Sequence, residues 1–324
     1  MGVSVIVPCF NEEKYISECL LSLINNGFDN NDLEILVVDG GSNDKTLNIV
    51  NGYILKYNFI KIINNHKKIT PVALNIGIKQ SKYNRILIAG AHTTYPYGYI
   101  SKLNEQLNNK DIFVVGGQIN TIAKNNNEKT KAICYVLSNS FGVGNSGFRV
   151  GVSKITEVDT VPFGLYKKEV FDSVGYYNEK LIRNQDIELS KRIKAKGYKI
   201  WLEPSLKCNY YARETYRQLA LNNFKNGYWN MRTIAITRSL GSLSLRHYIP
   251  LLFILSILLP VIAVVILGYK VILFSILSLV LYFTFLIYII SKSNNINKIN
   301  IFRAFLTIHF SYGIGSLIGM FNFK

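Results

Sequence analysis

The sequence predicts an α/β domain with a mostly parallel sheet, followed by an interfacial helix and a transmembrane helical region. Three observations lead to this prediction. Short apolar stretches alternate with helical patterns near the N-terminus, a later stretch mixes aromatic and basic residues, and two long apolar stretches follow it. These patterns divide the chain into residues 1–212, 213–246 and 247–324.

The first domain is built from alternating strand and helix patterns. Five apolar stretches have the length and composition of buried strands: Val3–Val7, Leu33–Val38, Ile60–Ile63, Arg85–Ala89 and Ile112–Val115. Helices are expected to begin at Asn11, at Ser42 or Asn43, and at Thr70–Pro71, where the residue types suit helix starts. Apolar strands that alternate with helices predict a mostly parallel sheet covered on both faces.

The C-terminal region contains stretches that are apolar enough to cross a membrane. Residues 247–268 and 271–290 each have about the 20 residues that a spanning helix needs. Residues 301–321 are interrupted by polar residues and glycines, so this third segment could span, re-enter or lie flat. Most flanking basic residues fall on one side of the spans, which is therefore expected to be cytosolic: Arg246, Lys292, Lys298 and Arg303.

Residues 213–246 and the net charge both favour contact with lipid. The aromatic and basic residues of this region suit a helix at the membrane interface, and packing against the first domain is an equal alternative. A net charge of +17 attracts nucleic acid or an anionic membrane face, and the apolar C-terminus favours the membrane. Membrane lipids are therefore expected partners, and nucleic acid is not.

Two further features predict a cytosolic location for the first domain of a multi-pass cell-membrane protein. The N-terminus lacks the basic start and the cleavage site of a signal peptide. The four cysteines lack C-x-x-C spacing, so reduced thiols are expected rather than a zinc site or a disulfide framework: Cys9, Cys19, Cys134 and Cys208.

Residues that can bind ligands cluster at the expected ends of the first, second and fourth strands. Residues 8–12 read P-C-F-N-E, residues 39–44 read D-G-G-S-N-D, and residues 90–92 read G-A-H. In a parallel sheet such loops meet at one rim, where ligands bind. An aromatic ring, carboxylates and an imidazole suit a nucleotide better than a simple anion. Phe10 could lie on a base, and Asp39 could accept hydrogen bonds from a base or a ribose.

The order of these motifs resembles a known enzyme family. The chain is similar to family 2 glycosyltransferases, which have a GT-A fold, through V-S-V-I-V-P-C-F-N-E-E and I-L-V-V-D-G-G-S-N-D-K-T. It resembles the succinoglycan-type exopolysaccharide glucosyltransferase branch through K-K-I-T-P-V-A-L-N-I-G-I, V-D-T-V-P-F-G, I-R-N-Q-D-I-E-L and H-F-S-Y-G-I-G. The resemblance implies inverting transfer from a nucleotide sugar, usually UDP-linked, to a polyprenyl-linked saccharide during exopolysaccharide or capsule assembly.

The resemblance also implies roles for individual residues. Asp186 falls on the catalytic aspartate, the base that takes a proton from the acceptor hydroxyl, although it could merely favour a helix N-terminus. Donor-binding positions match Pro8, Phe10, Glu12, Asp39, Asn75, Gly77 and Gly164. Asp39 could instead be a turn residue, and Asn75 and Gly77 could serve helix packing. Second-tier candidates are Arg149, Asp159, Gln185 and Trp229.

A divalent metal, Mn²⁺ or Mg²⁺, is implied at the end of the fourth strand. The branch is expected to have Asp-Ala-His there, and this chain has Gly90, Ala91 and His92. His92 keeps a competent metal ligand, whereas Gly90 removes a carboxylate. We therefore expect weaker or altered metal dependence, with His92 as the main remaining ligand from this loop.

Two other functions are compatible with parts of the sequence. A non-catalytic nucleotide-sugar-binding or scaffold subunit is suggested by Gly90, although the region around Asp186 argues against it. A processive synthase would need more spans and a Q-x-x-R-W-like motif, and residues 217–229 read R-Q-L-A-L-N-N-F-K-N-G-Y-W instead.

Overall fold

The chain folds into two compact units. A computed structural model describes residues 1–322, so the last two residues of the predicted membrane region, 323 and 324, lie outside the described residues. The first unit, here called the sheet unit, contains residues 1–121 and 146–211. The second, the helical unit, contains residues 122–145 and the chain from 212 onward. Residues 122–145 therefore belong with the C-terminal helices, although they lie within the predicted range 1–212 of the first domain.

The sheet unit is built on one mixed sheet, which has nine strands within residues 1–322. The strands are β1 Val3–Cys9, β2 Leu33–Asp39, β3 Ile60–Asn64, β4 Arg85–Ile88, β5 Thr93–Thr94, β6 Val114–Ile122, β7 Thr156–Val158, β8 Leu165–Lys167 and β9 Ile200–Tyr211. Their order is β3-β2-β1-β4-β8-β6-β9-β5, and β7 pairs with β9.

The prediction of a mostly parallel sheet is wrong for the second half of this sheet. Strands β3, β2, β1 and β4 run parallel to one another. Strand β8 then pairs antiparallel with β4 and β6, and β9 pairs antiparallel with β5 and β7. Antiparallel neighbours need no crossover helix, so the strand–helix alternation that predicts a parallel sheet applies only to the first four strands.

The helices follow in chain order. They are α1 Ile16–Ile24, α2 Thr46–Ile54, α3 Thr70–Gln80, α4 Tyr99–Gln106, α5 Glu128–Leu137, α6 Ser140–Val143, α7 Gly147–Val150, α8 Glu169–Val174, α9 Gln185–Ala195, α10 Tyr216–Thr237, α11 Ile249–Leu267, α12 Ile272–Ser291 and α13 Lys298–Phe321. Alternate residues of β1 face opposite sides of the sheet, so Val5 packs in the cluster that holds α1 and Ile6 in the cluster that holds α3.

The predicted starts of the first two helices are wrong for a reason that matters to the site. Asn11 does not cap α1: it has φ of 55°, its backbone N–H donates to Ser42 Oγ at 2.9 Å, and its Oδ1 accepts from the Asn43 N–H at 2.9 Å. Neither Ser42 nor Asn43 opens α2, which begins at Thr46. These side chains instead join the loops that follow β1 and β2, which fixes the rim of the sheet.

The helical unit contains three helices that are long and apolar enough to cross a membrane, within the described residues. They comprise Ile249–Leu267, Tyr269–Ser291 and Lys298–Phe321. The third contains residues 301–321, for which the sequence alone allows a span, a re-entrant segment or a helix that lies flat. It is the least hydrophobic, with a mean hydropathy of 1.4 against 3.0 and 2.5 for the others.

Helices α10 and α13 pack with their backbones in close approach. A Cβ atom on Gly315 would lie 2.1 Å from the Phe224 carbonyl oxygen, and one on Gly227 would lie 2.0 Å from that of Tyr312. Real side chains cannot occupy such positions, so both helices need glycine there. The predicted interfacial helix is therefore partnered along its length inside the helical unit.

Candidate active site

The sheet unit contains a cavity of about 320 Å³ beyond the carboxyl ends of β1 and β4. This is the edge at which open α/β sheets bind ligands, and the volume lies within the usual range for such sites. Six residues predicted to act at the site line the cavity: Pro8, Phe10, Glu12, His92, Gln185 and Asp186. The structure thus brings together residues from three separate parts of the sequence.

The end of β1 and the residue after it form one wall of the cavity. Phe10 is 51% exposed, so its ring is available to a planar ligand group. Cys9 also lines the cavity, and burial, followed by the charges of Glu12 and Asp39, raises the pKa of its thiol well above the ordinary value. Because the thiolate is the reactive form, Cys9 is not poised as a nucleophile.

Asp39 is buried beneath this wall and shapes the loop after β2. Its Oδ2 accepts from the backbone N–H groups of Gly41 at 2.8 Å and Ser42 at 3.0 Å, and its Oδ1 accepts from Ser42 Oγ at 2.5 Å. These contacts match the turn role that was the alternative for this residue. Contact between Asp39 and a nucleoside stays a prediction.

Asn75, Gly77 and Gly164 lie in the framework behind the cavity, outside its described lining. Asn75 is buried and bonds to the backbone of Tyr177, as donor to its carbonyl at 2.9 Å and as acceptor from its N–H at 2.9 Å. A Cβ on Gly77 would lie 2.5 Å from Ile6 Cγ2, so α3 lies close against β1. The Gly164 carbonyl accepts from the Ile88 N–H at 3.0 Å. Their donor-binding roles stay predictions.

Asp186 is the second residue of α9 and is exposed at the cavity. Burial, followed by the charge of Asp186, raises the pKa of Tyr166, which lines the same cavity. Glu188 is buried and pairs with Arg192 through both of its oxygens, at 2.8 and 2.9 Å. Asp186 is therefore the carboxylate on this helix that can meet an acceptor.

His92 has a carboxylate partner that comes from the β1 loop. Its Nδ1 lies 3.3 Å from Glu12 Oε1. Tyr15 and Tyr210 approach the imidazole ring, with centroid distances of 6.4 and 5.4 Å and interplanar angles of 68° and 62°. Glu12, 78 positions before Gly90 in the sequence, thus places a carboxylate beside His92, a pairing that no spacing pattern reveals.

Phe163 fills the space beside Gly90 and belongs to residues 161–164, which the sequence predicts to line the sugar pocket. A Cβ on Gly90 would lie 2.6 Å from Phe163 Cε1. Phe163 has φ of 46°, and its carbonyl accepts from the hydroxyl of buried Tyr99 at 2.8 Å. Its ring meets that of Tyr95 edge-on at 5.8 Å. The V-P-F-G motif predicts its place at the pocket but not its approach to position 90.

Positions 90 and 163 are expected to act as a coupled pair. Gly90→Asp alone should lower stability by about 1–3 kcal/mol through overpacking and should not strengthen Mn²⁺ binding. Gly90→Asp combined with Phe163→Gly should strengthen Mn²⁺ binding severalfold in the presence of UDP, because the second change makes room for the new carboxylate. Glycine also tolerates the positive φ of residue 163, so the backbone there is not strained. Electron paramagnetic resonance titration of Mn²⁺ checks this, with Phe163→Gly as the control. Stronger Mn²⁺ binding by Gly90→Asp alone would contradict the coupling.

The donor atoms at His92 form an incomplete metal site. Within residues 1–322 no group of three or more histidine, cysteine or acidic side chains could hold a metal ion. Protein-bound Mg²⁺ is commonly held by one or two carboxylates together with substrate phosphates. His92 with Glu12 beside it therefore fits a metal only if a phosphate-bearing ligand supplies further oxygens.

The remaining second-tier residues have different surroundings. Gln185 lines the cavity, and its Oε1 is buried with no hydrogen-bond partner in the described part of the chain. Arg149 lies over the ring of Tyr210, with its guanidinium carbon 5.4 Å from the centroid. Asp159 lies just after β7, outside the cavity lining, and Trp229 belongs to α10 of the helical unit.

Comparison with known proteins identifies the class to which this α/β fold belongs. The sequence matches the family described as "Glycosyl transferase family 2" over residues 4–175, and the chain belongs to this family. The predicted family and enzyme class are confirmed.

Two curated relatives share sequence with most of the chain. A dolichyl N-acetyl-alpha-D-glucosaminyl phosphate 3-beta-D-2,3-diacetamido-2,3-dideoxy-beta-D-glucuronosyltransferase of Methanococcus voltae is 31% identical over 238 residues, covering 69% of this chain and 71% of the relative. The succinoglycan biosynthesis protein ExoA of Rhizobium meliloti is 26% identical over 253 residues, covering 76% and 74%. Similar relatives thus include enzymes with lipid-linked substrates as well as polysaccharide-pathway proteins.

Two solved structures share the fold. S. aureus TarS 1-349 in complex with UDP-GlcNAc has a TM-score of 0.56 at 18% identity, covering 98% of this chain and 91% of that one. The mannosyltransferase PcManGT of Pyrobaculum calidifontis in complex with GDP-Man and Mn²⁺ has a TM-score of 0.61 at 15% identity, covering 99% and 87%. At these identities the likeness establishes the GT-A-like fold alone.

Proposed function

We propose that this chain is a membrane-attached inverting glycosyltransferase. It transfers a sugar from a UDP-linked donor to a polyprenyl-linked saccharide at the cytosolic face of the cell membrane, during exopolysaccharide or capsule assembly. The observation that carries the proposal is the position of Asp186, which lines one cavity together with Pro8 of β1 and Phe10, the residue that follows β1. The two curated relatives support a lipid-linked or polysaccharide acceptor.

In this proposal Asp186 is the catalytic base. Inverting transfer needs one carboxylate that removes the proton from the acceptor hydroxyl as its oxygen attacks the anomeric carbon. The proton passes to the Asp186 carboxylate, the new glycosidic bond forms, and the bond to the diphosphate breaks. Gln185 lies beside it, and its Oε1, which has no hydrogen-bond partner among residues 1–322, can accept a hydrogen bond from a sugar hydroxyl.

The donor occupies the cavity with its base near Phe10 and its diphosphate near His92. The loop after β2, which Asp39 holds in shape, completes the nucleoside end, and Lys68 also lines the cavity. The leaving diphosphate needs positive charge as it departs. His92 would hold a divalent ion such as Mn²⁺, which would supply that charge when bound, and the Lys68 ammonium adds to it.

The helical unit attaches the enzyme to the membrane. Its three candidate spans include α11, α12 and α13; Arg246 precedes the first, Lys292 follows the second and Lys298 begins the third. The positive-inside rule then assigns the sheet unit to the cytosol, where nucleotide sugars are made available. A lipid-linked acceptor suits an enzyme that is held at the bilayer.

A donor screen on the full chain tests this proposal. Thermal shift with nucleotide sugars, with and without Mn²⁺, should show stabilisation by UDP-linked donors. Incubation of the stabilising donor with polyprenyl-linked saccharides should then release UDP and extend the lipid. Stabilisation only by donors of another nucleotide would refute the UDP assignment.

A non-catalytic donor-binding subunit is the second candidate, and the Gly90–Phe163 contact favours it. Gly90, just after β4, offers no carboxylate to the metal site, and Phe163 leaves no room for a side chain there. This function predicts donor binding without UDP release for every acceptor tested. Transfer to any lipid-linked saccharide would refute it.

A further inference from the structure

We infer that Glu12 is a positioning residue for His92: it holds the imidazole in the tautomer whose Nε2 lone pair is available to a divalent cation that binds together with the donor diphosphate. The inference rests on the proposed function and assigns Glu12 a role different from the nucleoside contact expected from its motif. Its basis is the 3.3 Å contact between His92 Nδ1 and Glu12 Oε1.

The hydrogen bond between the two residues fixes the proton on one ring nitrogen. An ionised carboxylate only accepts hydrogen bonds, so Nδ1 of His92 must be the donor. In the neutral imidazole the lone pair then lies on Nε2. Nε2 makes no hydrogen bond to any part of the chain that the structure describes, and His92 lines the cavity. Histidines that bind metals commonly donate their other N–H to a carboxylate in this way.

Hydrogen bonds of both backbone groups of Glu12 fix the position from which its side chain extends toward His92. Its N–H donates to Thr46 Oγ1 at 2.8 Å. Its carbonyl accepts from the N–H groups of Tyr15 and Ile16, both at 2.9 Å. Glu12 is thus anchored to the start of α2 and to the start of α1.

Two tyrosines restrict rotation of the His92 ring. Tyr15 and Tyr210 approach it at steep interplanar angles. Thr93, the next residue after His92, pairs with Tyr210 in the β5–β9 ladder, so the ring and its neighbour are positioned by the same strand contact. The imidazole is therefore oriented by one hydrogen bond and by ring packing before any ligand binds.

A variant series separates positioning from direct binding. On the full chain, Glu12→Gln, Glu12→Ala, His92→Ala and the double alanine variant are titrated with UDP, uridine and pyrophosphate in the presence of Mn²⁺. Glu12→Ala should weaken UDP and pyrophosphate binding by about 10–100-fold and leave uridine binding unchanged. Glu12→Gln should restore most of the affinity, because its side-chain carbonyl still accepts from Nδ1. Glu12→Ala should cost nothing further in the His92→Ala background.

Three results would overturn the inference. Equal losses for uridine and UDP in Glu12→Ala would make Glu12 a nucleoside contact. A loss in Glu12→Gln as large as in Glu12→Ala would make it a direct ligand. Pyrophosphate binding that is unaffected by Glu12→Ala would remove the link to the diphosphate. Pyrophosphate binding that depends on Glu12, without sugar transfer by the wild-type protein, would uphold the inference and refute the proposed activity.

Discussion

Replacing Asp186 by asparagine should reduce sugar transfer by about 10²–10⁴-fold, the usual contribution of a general base. Asparagine keeps the shape of the side chain and removes its ability to take the acceptor proton. Because Asp186 is exposed at the start of α9, the change should leave the fold intact. Release of UDP from donor and acceptor measures transfer, and UDP affinity should stay within about threefold of wild type if binding and chemistry are separate.

Glu169 provides a matched control for this experiment. It is also an exposed acidic residue in the first turn of a helix, α8, and it lies outside the cavity lining. Glu169→Gln removes the same favourable interaction with a helix N-terminus but should not affect transfer. Full activity in Asp186→Asn would show that Asp186 serves only its helix, and the assignment of the base would be abandoned.

Replacing Asn75 by leucine should lower the free energy of unfolding of the sheet unit by about 3 kcal/mol or more. The volume is similar, but the buried N–H and carbonyl of Tyr177 lose their partners, and Glu179 loses a hydrogen bond of 3.1 Å. For a unit of this size such a loss lowers Tm by about 6–12 °C. Circular dichroism melting of the full chain in detergent measures the shift.

Asn48 offers a control on the same type of residue. It is exposed on α2, and Asn48→Leu should change Tm little. If Asn75→Leu also left Tm unchanged, the hydrogen bonds between Asn75 and Tyr177 would not contribute to the free energy of unfolding. Donor binding would then be the better explanation for the presence of asparagine at position 75.

The strand–helix alternation before residue 90 contains enough information to predict the first half of the sheet. Strands β1 and β2 are buried along both faces, and α1 repeats its apolar residues at helical spacing, so local pattern and tertiary packing agree. The strands after residue 150 are harder. Strands β7 and β8 have three residues each, too few for a periodic signal, and their antiparallel pairing depends on distant partners.

The sequence motifs predict which residues meet at the site, but not how their side chains pair. Strand ends and the family motif identify Phe10, His92 and Asp186 as neighbours in space. The pairing of His92 with Glu12, and the filling of the space at Gly90 by Phe163, depend on side-chain directions that a linear pattern does not contain.

The assignment of residues 122–145 to the helical unit has a practical consequence for producing this enzyme in water. Shortening the chain at residue 212 would keep α5 but remove the helices that cover it. Ala132, Ile133 and Val136 of α5 are buried in the same cluster as Phe305 of α13, so in the shortened chain these three α5 side chains would form an exposed apolar patch prone to aggregation. A detergent-free catalytic fragment for crystallisation therefore needs two edits: a C-terminal cut, and replacement of residues 122–145 by a polar linker.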